Sequence, residues 1–470
     1  MRKYIYTAVL ACSMLFSYSQ KKSSISYNTS SNGNQHSVTI NDDELSLSLV
    51  YTGDIAFNDA EDAIASLAPD GYLRYKKNGK KLVVNADSRG EITYEFNDGD
   101  KKTELNAEEK AFLADAIKVM IEYGVGAKER VARIYKKGGS GAVLVEVKNM
   151  KTDYVRGIYL DFLLETNTLT TTDMTTIADN IHFLMQSDYE KGELLGKFSS
   201  KYLSNPTTAQ AYLGAVKSIN SDFEKGKAVK AILRQELTSE QFSAVLDVAN
   251  SIGSDYEKAG VLKEVLAGSR VTPTQFPDLL RAVARIQSDF EKSGVLKQIL
   301  QDNRIPEDQF KATMAIVASL GSDYEKAGVL KEVLSNNKIP ASEFVDMLNA
   351  TTHIQGDYEK AGVLKQILKD SSIPDEEFNE TLAAVGSIGS DFEKAGVLKQ
   401  LAQADIKGDA HWISLIGASE KVGADYEKGE VLRDIASRMP GSENIRSAYL
   451  KAAKTISSDY EYGRTIRAVK

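Results

Sequence analysis

Between residues 36 and 105, apolar and polar positions alternate in short runs: SVTI, LSLSLVY, GYLRYKK, KKLVVNA and EITYEF. A period of two sets one face of each run on a core and the other in water, the pattern of antiparallel strands. Asn78-Gly79 separates the Tyr72-x-Arg74 and Leu82-x-Val84 alternations, and that dipeptide favours a two-residue hairpin turn. At Asn106 the period changes. Asn106 and Glu109 have the spacing of a capping box, and Phe112, Leu113, Ile117, Met120 and Ile121 recur at close to 3.6 residues. Everything beyond is expected to be helical.

The helical part repeats itself. SDYEKGELL at Ser187, SDFEKGKAV at Ser221, SDYEKAGVLKEVL at Ser254 and Ser322, SDFEKSGVLKQIL at Ser288, GDYEKAGVLKQIL at Gly356, SDFEKAGVLKQLA at Ser390, ADYEKGEVL at Ala424 and SDYEYGRTI at Ser458 are copies of one segment. Their aspartates, Asp188, Asp222, Asp255, Asp289, Asp323, Asp357, Asp391, Asp425 and Asp459, follow a period of 34 with a single step of 33. TDYVRGIYL at Thr152 is a weaker copy that carries the series back to Asp153. Within the copy at Ser322 a helix is expected to Leu334, a break over Asn336 to Pro340, and a second helix from Ala341 to Ile354. Pro306, Pro340 and Pro374 recur at that break, where proline suits a helix start and forbids continuation of the previous helix. Phe276, Phe310, Phe344, Phe378 and Trp412 each lie 21 residues after their Asp and are expected to be core pegs of the second helix. A helix pair of this size cannot close a core alone, so neighbours must stack. The expected fold is therefore mainly α, a solenoid of 34-residue αα-hairpin repeats over 187–470, preceded by a small antiparallel β domain over 36–105 and a helical connector with a degenerate repeat over 106–186.

Inside the repeat, Ser254 with Glu257, Ser288 with Glu291 and Ser322 with Glu325 fit a reciprocal capping box. The Ser gives way to Gly356 and Ala424 while the Asp persists, so the Asp series reads as structural, capping its own helix or binding the backbone of the adjacent unit. Gly226, Gly260, Gly294, Gly328, Gly362, Gly396 and Gly429 cost about 1 kcal/mol each in helix propensity and imply close helix approach. The residue after the Asp is Tyr or Phe interchangeably, which suggests a packed ring with an optional hydroxyl. A ligand-binding stripe through Tyr256, Tyr324 and Tyr358 is the competing reading. The Glu-Lys pair of nearly every copy reads as a solvated face.

The first residues add a compartment. Arg2 and Lys3, an apolar stretch to Phe16 and Ser17-Tyr18-Ser19 resemble a secretory signal over 1–19, followed by a Ser- and Asn-rich spacer over 20–35. Export to the periplasm or the cell exterior is expected, with lipid anchoring at Cys12 as the rival. Cys12 is the single cysteine, so the exported body would hold no disulfide, cysteine nucleophile or thiolate metal site. With 58 Lys and Arg against 66 Asp and Glu, the net charge of −8 has the wrong sign for a nucleic-acid partner.

No catalytic constellation emerges. His36, His182, His353 and His411 are far apart and match no metal-ligand spacing, so no metal or cofactor is expected. Gly138-Gly139-Ser140-Gly141 lacks the order of a phosphate loop and reads as a helix linker. Asn97-Asp98-Gly99-Asp100 lacks calcium-loop spacing and reads as a hairpin turn. Carboxylate pairs of the glycosidase kind are compatible with so many acids, and an envelope hydrolase stays as a minor alternative.

LAPDGYLRYKKNGKKLVV at Leu67, then ELNAEEKAFLADAIKVMIEYGVGAKERVARIYKKGGSGAVLVEVKNMKTDYVRGIYLDFLLE, then SDYE repeats, resembles the exported C-terminal region of bacterial BlaR-type membrane metallopeptidases and related stand-alone exported proteins. The peptidases' membrane helices and H-E-x-x-H are missing here, so no catalytic role carries over. The resemblance implies an envelope sensing or interaction module. Two functions are thus expected: a non-enzymatic scaffold presenting an extended surface to a protein or peptide in the cell envelope, or a soluble sensor or regulator of a membrane-protein partner.

Overall fold

The computed structural model describes residues 24–29, 35–41, 46–99, 101–103, 106–165, 169–268, 271–301, 305–336, 341–370 and 373–469. The signal-like segment 1–19 and Pro340 lie outside them. The protein is mainly helical, with an antiparallel sheet ahead of repeated helix pairs, and it divides into two compact units, 1–224 and 225–470. The division falls inside the repeats, so the sheet, the connector and the first repeats share one unit.

In the first unit, β1 (Ser24–Thr29), β2 (Gln35–Asn41), β3 (Ser46–Thr52), β6 (Tyr72–Lys77), β7 (Lys80–Ala86), β8 (Ile92–Asp98) and β9 (Lys101–Thr103) form one sheet in that order. β4 (Ile55–Phe57) and β5 (Ile64–Leu67) pair separately. The expected spacer 20–35 is corrected here: its residues 24–29 form β1, paired antiparallel with β2. The alternation works as the pattern demands, with Leu49 opposite Tyr75, Leu73 opposite Val84 and Leu82 opposite Phe96, all buried. Asn78 and Gly79 both have positive φ, at 49° and 89°, which is the type I′ geometry that joins β6 to β7. Gly99 turns β8 into β9, as the Asn97-Asp98-Gly99 reading requires.

Helix α1 (Ala107–Glu122) lies over the sheet: Asn106 accepts from the Glu108 and Glu109 amides, and the Tyr75 and Phe112 rings meet at 5.8 Å. Helix α2 (Ala127–Asn149) is interrupted at Gly138 and Gly139, where φ reaches +67° at Gly139, so the glycine stretch is the expected linker between two helical pieces. A buried Arg130 ties the β4–β5 connection to the helices, donating to Glu61 at 2.7 Å, Glu146 at 2.8 Å and the Tyr159 hydroxyl at 3.3 Å. The repeats then begin with α3 (Asp153–Glu165), α4 (Thr171–Leu184), α5 (Asp188–Leu203) and α6 (Pro206–Lys217). α7 (Asp222–Leu233) contains the division between units.

In the second unit, first helices α9 (Asp255–Gly268), α11 (Asp289–Gln301), α13 (Asp323–Asn336), α15 (Asp357–Asp370), α17 (Asp391–Leu401), α19 (Asp425–Ala436) and α21 (Asp459–Arg467) pack successively on one another. Second helices α8 (Ser239–Asn250), α10 (Phe276–Ala284), α12 (Glu307–Ala318), α14 (Ala341–Thr352), α16 (Phe378–Gly386), α18 (Gly408–Ser419) and α20 (Glu443–Ala453) do the same. This is the helix-pair stacking of a solenoid. Phe276, Phe310, Phe344, Phe378 and Trp412 are all buried, as their position predicts. Pro306 and Pro374 stand just before the second helices of their repeats rather than inside the first turn.

Candidate functional site

The repeated motif builds three features at the start of each first helix, and only one faces outward. The first is a clamp on the loop leading into the next repeat. Asp323 Oδ2 accepts from the backbone N–H of Gln355 at 3.1 Å and Gly356 at 2.6 Å, while Lys326 Nζ donates to the His353 carbonyl at 2.7 Å. Ile354, between those contacts, is fully buried. The polar groups of one loop are thus satisfied from a single turn of the helix before it.

The arrangement recurs. Asp357 accepts from Gly389 and Ser390, and Lys360 donates to Ser387 Oγ at 3.2 Å. Asp391 accepts from Gly423 and Ala424, with Lys394 on the Lys421 carbonyl. Asp425 accepts from Ser457 and Ser458, with Lys428 on the Thr455 carbonyl. In the first unit Asp188 holds Asn220 and Ser221, and Asp153, in the degenerate copy, holds Gln186 and Ser187. Of the two structural roles open to the Asp series, binding the neighbouring backbone is therefore the one seen. The Gly389 and Ser390 amides, with Lys360 and Lys394 nearby, hold the Asp357 carboxyl below its ordinary value. Burial pulls the Lys326 ammonium down against the opposing effect of Asp323 and Asp289.

The second feature is a ladder of ion pairs. Ser322 Oγ accepts from the Glu325 amide, as a cap should, but the Ser322 N–H is taken by Asp289 of the preceding repeat. The reciprocal half of the capping box is therefore unavailable to Glu325, whose carboxylate instead meets Lys297 at 3.3 Å. Equivalent pairs are Lys230–Glu257, Lys263–Glu291, Lys365–Glu393 at 2.9 Å and Arg433–Glu461 at 3.0 Å. The motif glycines serve this ladder: a Cβ on Gly294 or Gly362 would come within 3.0 Å of Nζ of Lys263 or Lys331. Gly260, Gly294, Gly328, Gly362 and Gly396 thus make room for an ammonium rather than for a neighbouring backbone, whereas Gly226 faces the Glu257 carboxylate and Gly429 the Arg433 guanidinium. The solvated-face reading of the Glu-Lys pair is overturned as well, since Lys258, Lys292, Lys326, Lys360, Lys394 and Lys428 are buried.

The third feature is the aromatic ring, and the packed-ring expectation fails there. Tyr256, Phe290, Tyr324, Tyr358, Phe392, Tyr426 and Tyr460 are 57–76% exposed. Tyr256, Tyr324 and Tyr358 belong to this row, and Phe290, Phe392, Tyr426 and Tyr460 complete it within the second unit. In the first unit Tyr154, Tyr189 and Phe223 occupy the same position and are also exposed. A helical wheel carries the missing signal. At about 100° per residue, the buried Val261, Leu262, Val265 and Leu266 define an arc whose middle holds Lys258 and whose outside holds Tyr256.

Among the described residues no cluster of three or more His, Cys, Asp or Glu is arranged to hold a metal ion, and no helix is long and apolar enough to cross a membrane. His36 lies in β2, His182 in α4, His353 in the α14–α15 connection and His411 in α18. No protein-family profile matches the chain, and no curated protein does. Among solved structures, a chain from work on the computational design of self-assembling cyclic protein homooligomers aligns at 12% identity over 64% of this chain and 97% of its own, with a TM-score of 0.13. Similarity at that level carries no argument about fold or function.

Proposed function

We propose that this chain is a non-enzymatic interaction protein in which the repeated helix pairs hold a row of aromatic rings out of the core for a protein or peptide partner. The exposure of seven rings in the second unit, each at the same repeat position, carries this reading. A ring that served packing would be buried, and burying one against a partner yields roughly 2 kcal/mol. Recurrent exposed apolar side chains mark interaction surfaces, and Tyr and Phe are favoured there because a large rigid face is immobilised at small entropic cost. The exchange of Tyr and Phe along the row supports recognition by the ring face rather than by a hydroxyl. The signal-like residues 1–19 support export, and with it a partner in the cell envelope.

The test compares the full chain with a variant carrying Tyr256→Ala, Tyr324→Ala and Tyr358→Ala as immobilised bait for envelope extract, with bound proteins identified by mass spectrometry. The expected result is a specific partner lost from the variant, whose circular dichroism and melting stay unchanged. A partner that binds both equally rules out the aromatic row as the interaction surface.

A further inference from the structure

We infer that the occupant of the aromatic row is an uncharged, proline-rich peptide in the polyproline II conformation; this rests on the reading of the row as a peptide-binding surface. Two observations select it. The first is charge. Each ring stands between an Asp that accepts loop amides and a Glu, and in five of the repeats described above that Glu meets a Lys or Arg of the preceding first helix. The motif Lys is buried beneath, on a loop carbonyl. The charges beside five of the seven rings are thus internally matched, so an uncharged occupant leaves them paired, whereas a charged one must compete for groups the fold already uses.

The second is spacing. Successive rings sit at one position on successive packed helices, and helices in contact lie roughly 8–10 Å apart. Polyproline II turns every three residues and advances about 3.1 Å per residue, so it presents the same face every 9.3 Å or so. A β-strand fits badly, because its same-face positions fall about 6.7 Å and 13 Å apart. An α-helix presents the same face every turn, about 5.4 Å, so that alternate turns fall about 10.8 Å apart and drift out of register along the row. Proline rings on aromatic faces are an established contact type for this conformation, and they need no hydroxyl from the protein. That matches the Tyr and Phe exchange at Tyr256, Phe290, Tyr324 and Phe392.

The experiment pans a phage-displayed library of random 18-residue peptides on the full chain, with counter-selection on the Tyr256→Ala, Tyr324→Ala, Tyr358→Ala variant. Enriched peptides are then measured by fluorescence anisotropy beside an 18-residue oligoproline, a 9-residue oligoproline and a neutral β-linked glucan oligosaccharide. Expected is enrichment of proline at three-residue intervals, at least tenfold tighter binding of the longer oligoproline, and at least tenfold loss on the triple alanine variant. The triple phenylalanine variant should retain binding, which separates lost ring contact from lost fold. Ring-dependent peptides without proline periodicity overturn this inference and leave the peptide-binding reading standing. Ring-dependent binding of the glucan alone, or no ring-dependent ligand at all, overturns both.

Discussion

The repeats before residue 224 and those after it share the clamp but not the ladder. In the second unit five motif glutamates, Glu257, Glu291, Glu325, Glu393 and Glu461, meet a cation from the preceding first helix, as Glu325 meets Lys297. In the first unit the corresponding cation positions are held by Asp161 and Gly196. Glu190 there faces Asp153, and burial together with that carboxylate and Glu193 raises its carboxyl above the ordinary value. Asp153 and Asp188 nevertheless hold the next loop as their counterparts do. The clamp is thus the contact common to the two kinds of repeat, and the ladder is an addition to it.

The largest effect should come from breaking what the two regions share. Asp323→Ala strips two loop amides of their acceptor and leaves Lys326 buried without its carboxylate, a loss of about 3 kcal/mol. Asp188→Ala should cost a similar amount despite the missing ladder. Urea unfolding followed by circular dichroism, with hydrogen exchange at Gly356 and Ser221, measures both. A cost confined to Asp323 would make the clamp a property of the later repeats alone.

Installing the ladder where it is missing comes next. Gly196 lies inside α5 and a Cβ there meets nothing within 4 Å. Gly196→Lys should therefore stabilise by about 1 kcal/mol from helix propensity, with a few tenths more from pairing with Glu224. Gly196→Ala measures the propensity share alone. Equal gains from Lys and Ala would show that the pair contributes nothing.

A smaller effect distinguishes the regions by pH. The folded state holds the Glu190 proton more firmly than the unfolded chain does, so the group is harmless below the ordinary carboxylate pKa and destabilises as pH rises through its folded value. Asp188 is the reverse. Although burial opposes it, the Lys191 ammonium and the Ser221 and Asn220 amides hold its carboxyl low. Its stabilisation is present above the ordinary Asp value and is lost as pH falls through the folded one. Glu190→Gln should raise the unfolding free energy at about pH 7 by a few tenths of a kcal/mol, the scale of a like-charge contact on a helix, and leave it unchanged at about pH 3.5. The same gain at the two pH values would trace it to packing instead.

Much of this was open to sequence reasoning. Period two gave β2, β3, β6, β7 and β8, and the 34-residue spacing of Asp188 to Asp459 gave the helix pairs and the buried Phe344. β1 was hidden because SISYNT has too few apolar residues to show alternation, and it is held by pairing with β2 at the sheet edge. The burial of Lys326 was hidden for a different reason. Lysine next to glutamate suggests an exposed pair, and only the carbonyl of His353, 27 residues on, explains why the ammonium turns inward. The outward rings are legible on a helical wheel, but the exchange of Tyr and Phe fits a packed ring as readily as it fits a face that binds.

The smallest expected effect sharpens that last point. Tyr324 is exposed and lies on the same first turn as Asp323 and Lys326, so motif membership alone predicts that truncating it should hurt as the clamp mutations do. The structure predicts otherwise: Tyr324→Ala removes a ring that covers little of the fold, and the change in unfolding free energy should stay within about 0.5 kcal/mol. Tyr189→Ala in the first unit, where the ring is only 40% exposed, should cost more. Parallel urea titrations of the two variants decide it. If Tyr324→Ala costs as much as Asp323→Ala, the ring is part of the clamp and its repetition needs no partner. If it costs almost nothing, stability cannot be what repeats the aromatic along the chain, and the reason must lie in what the rings touch outside the protein.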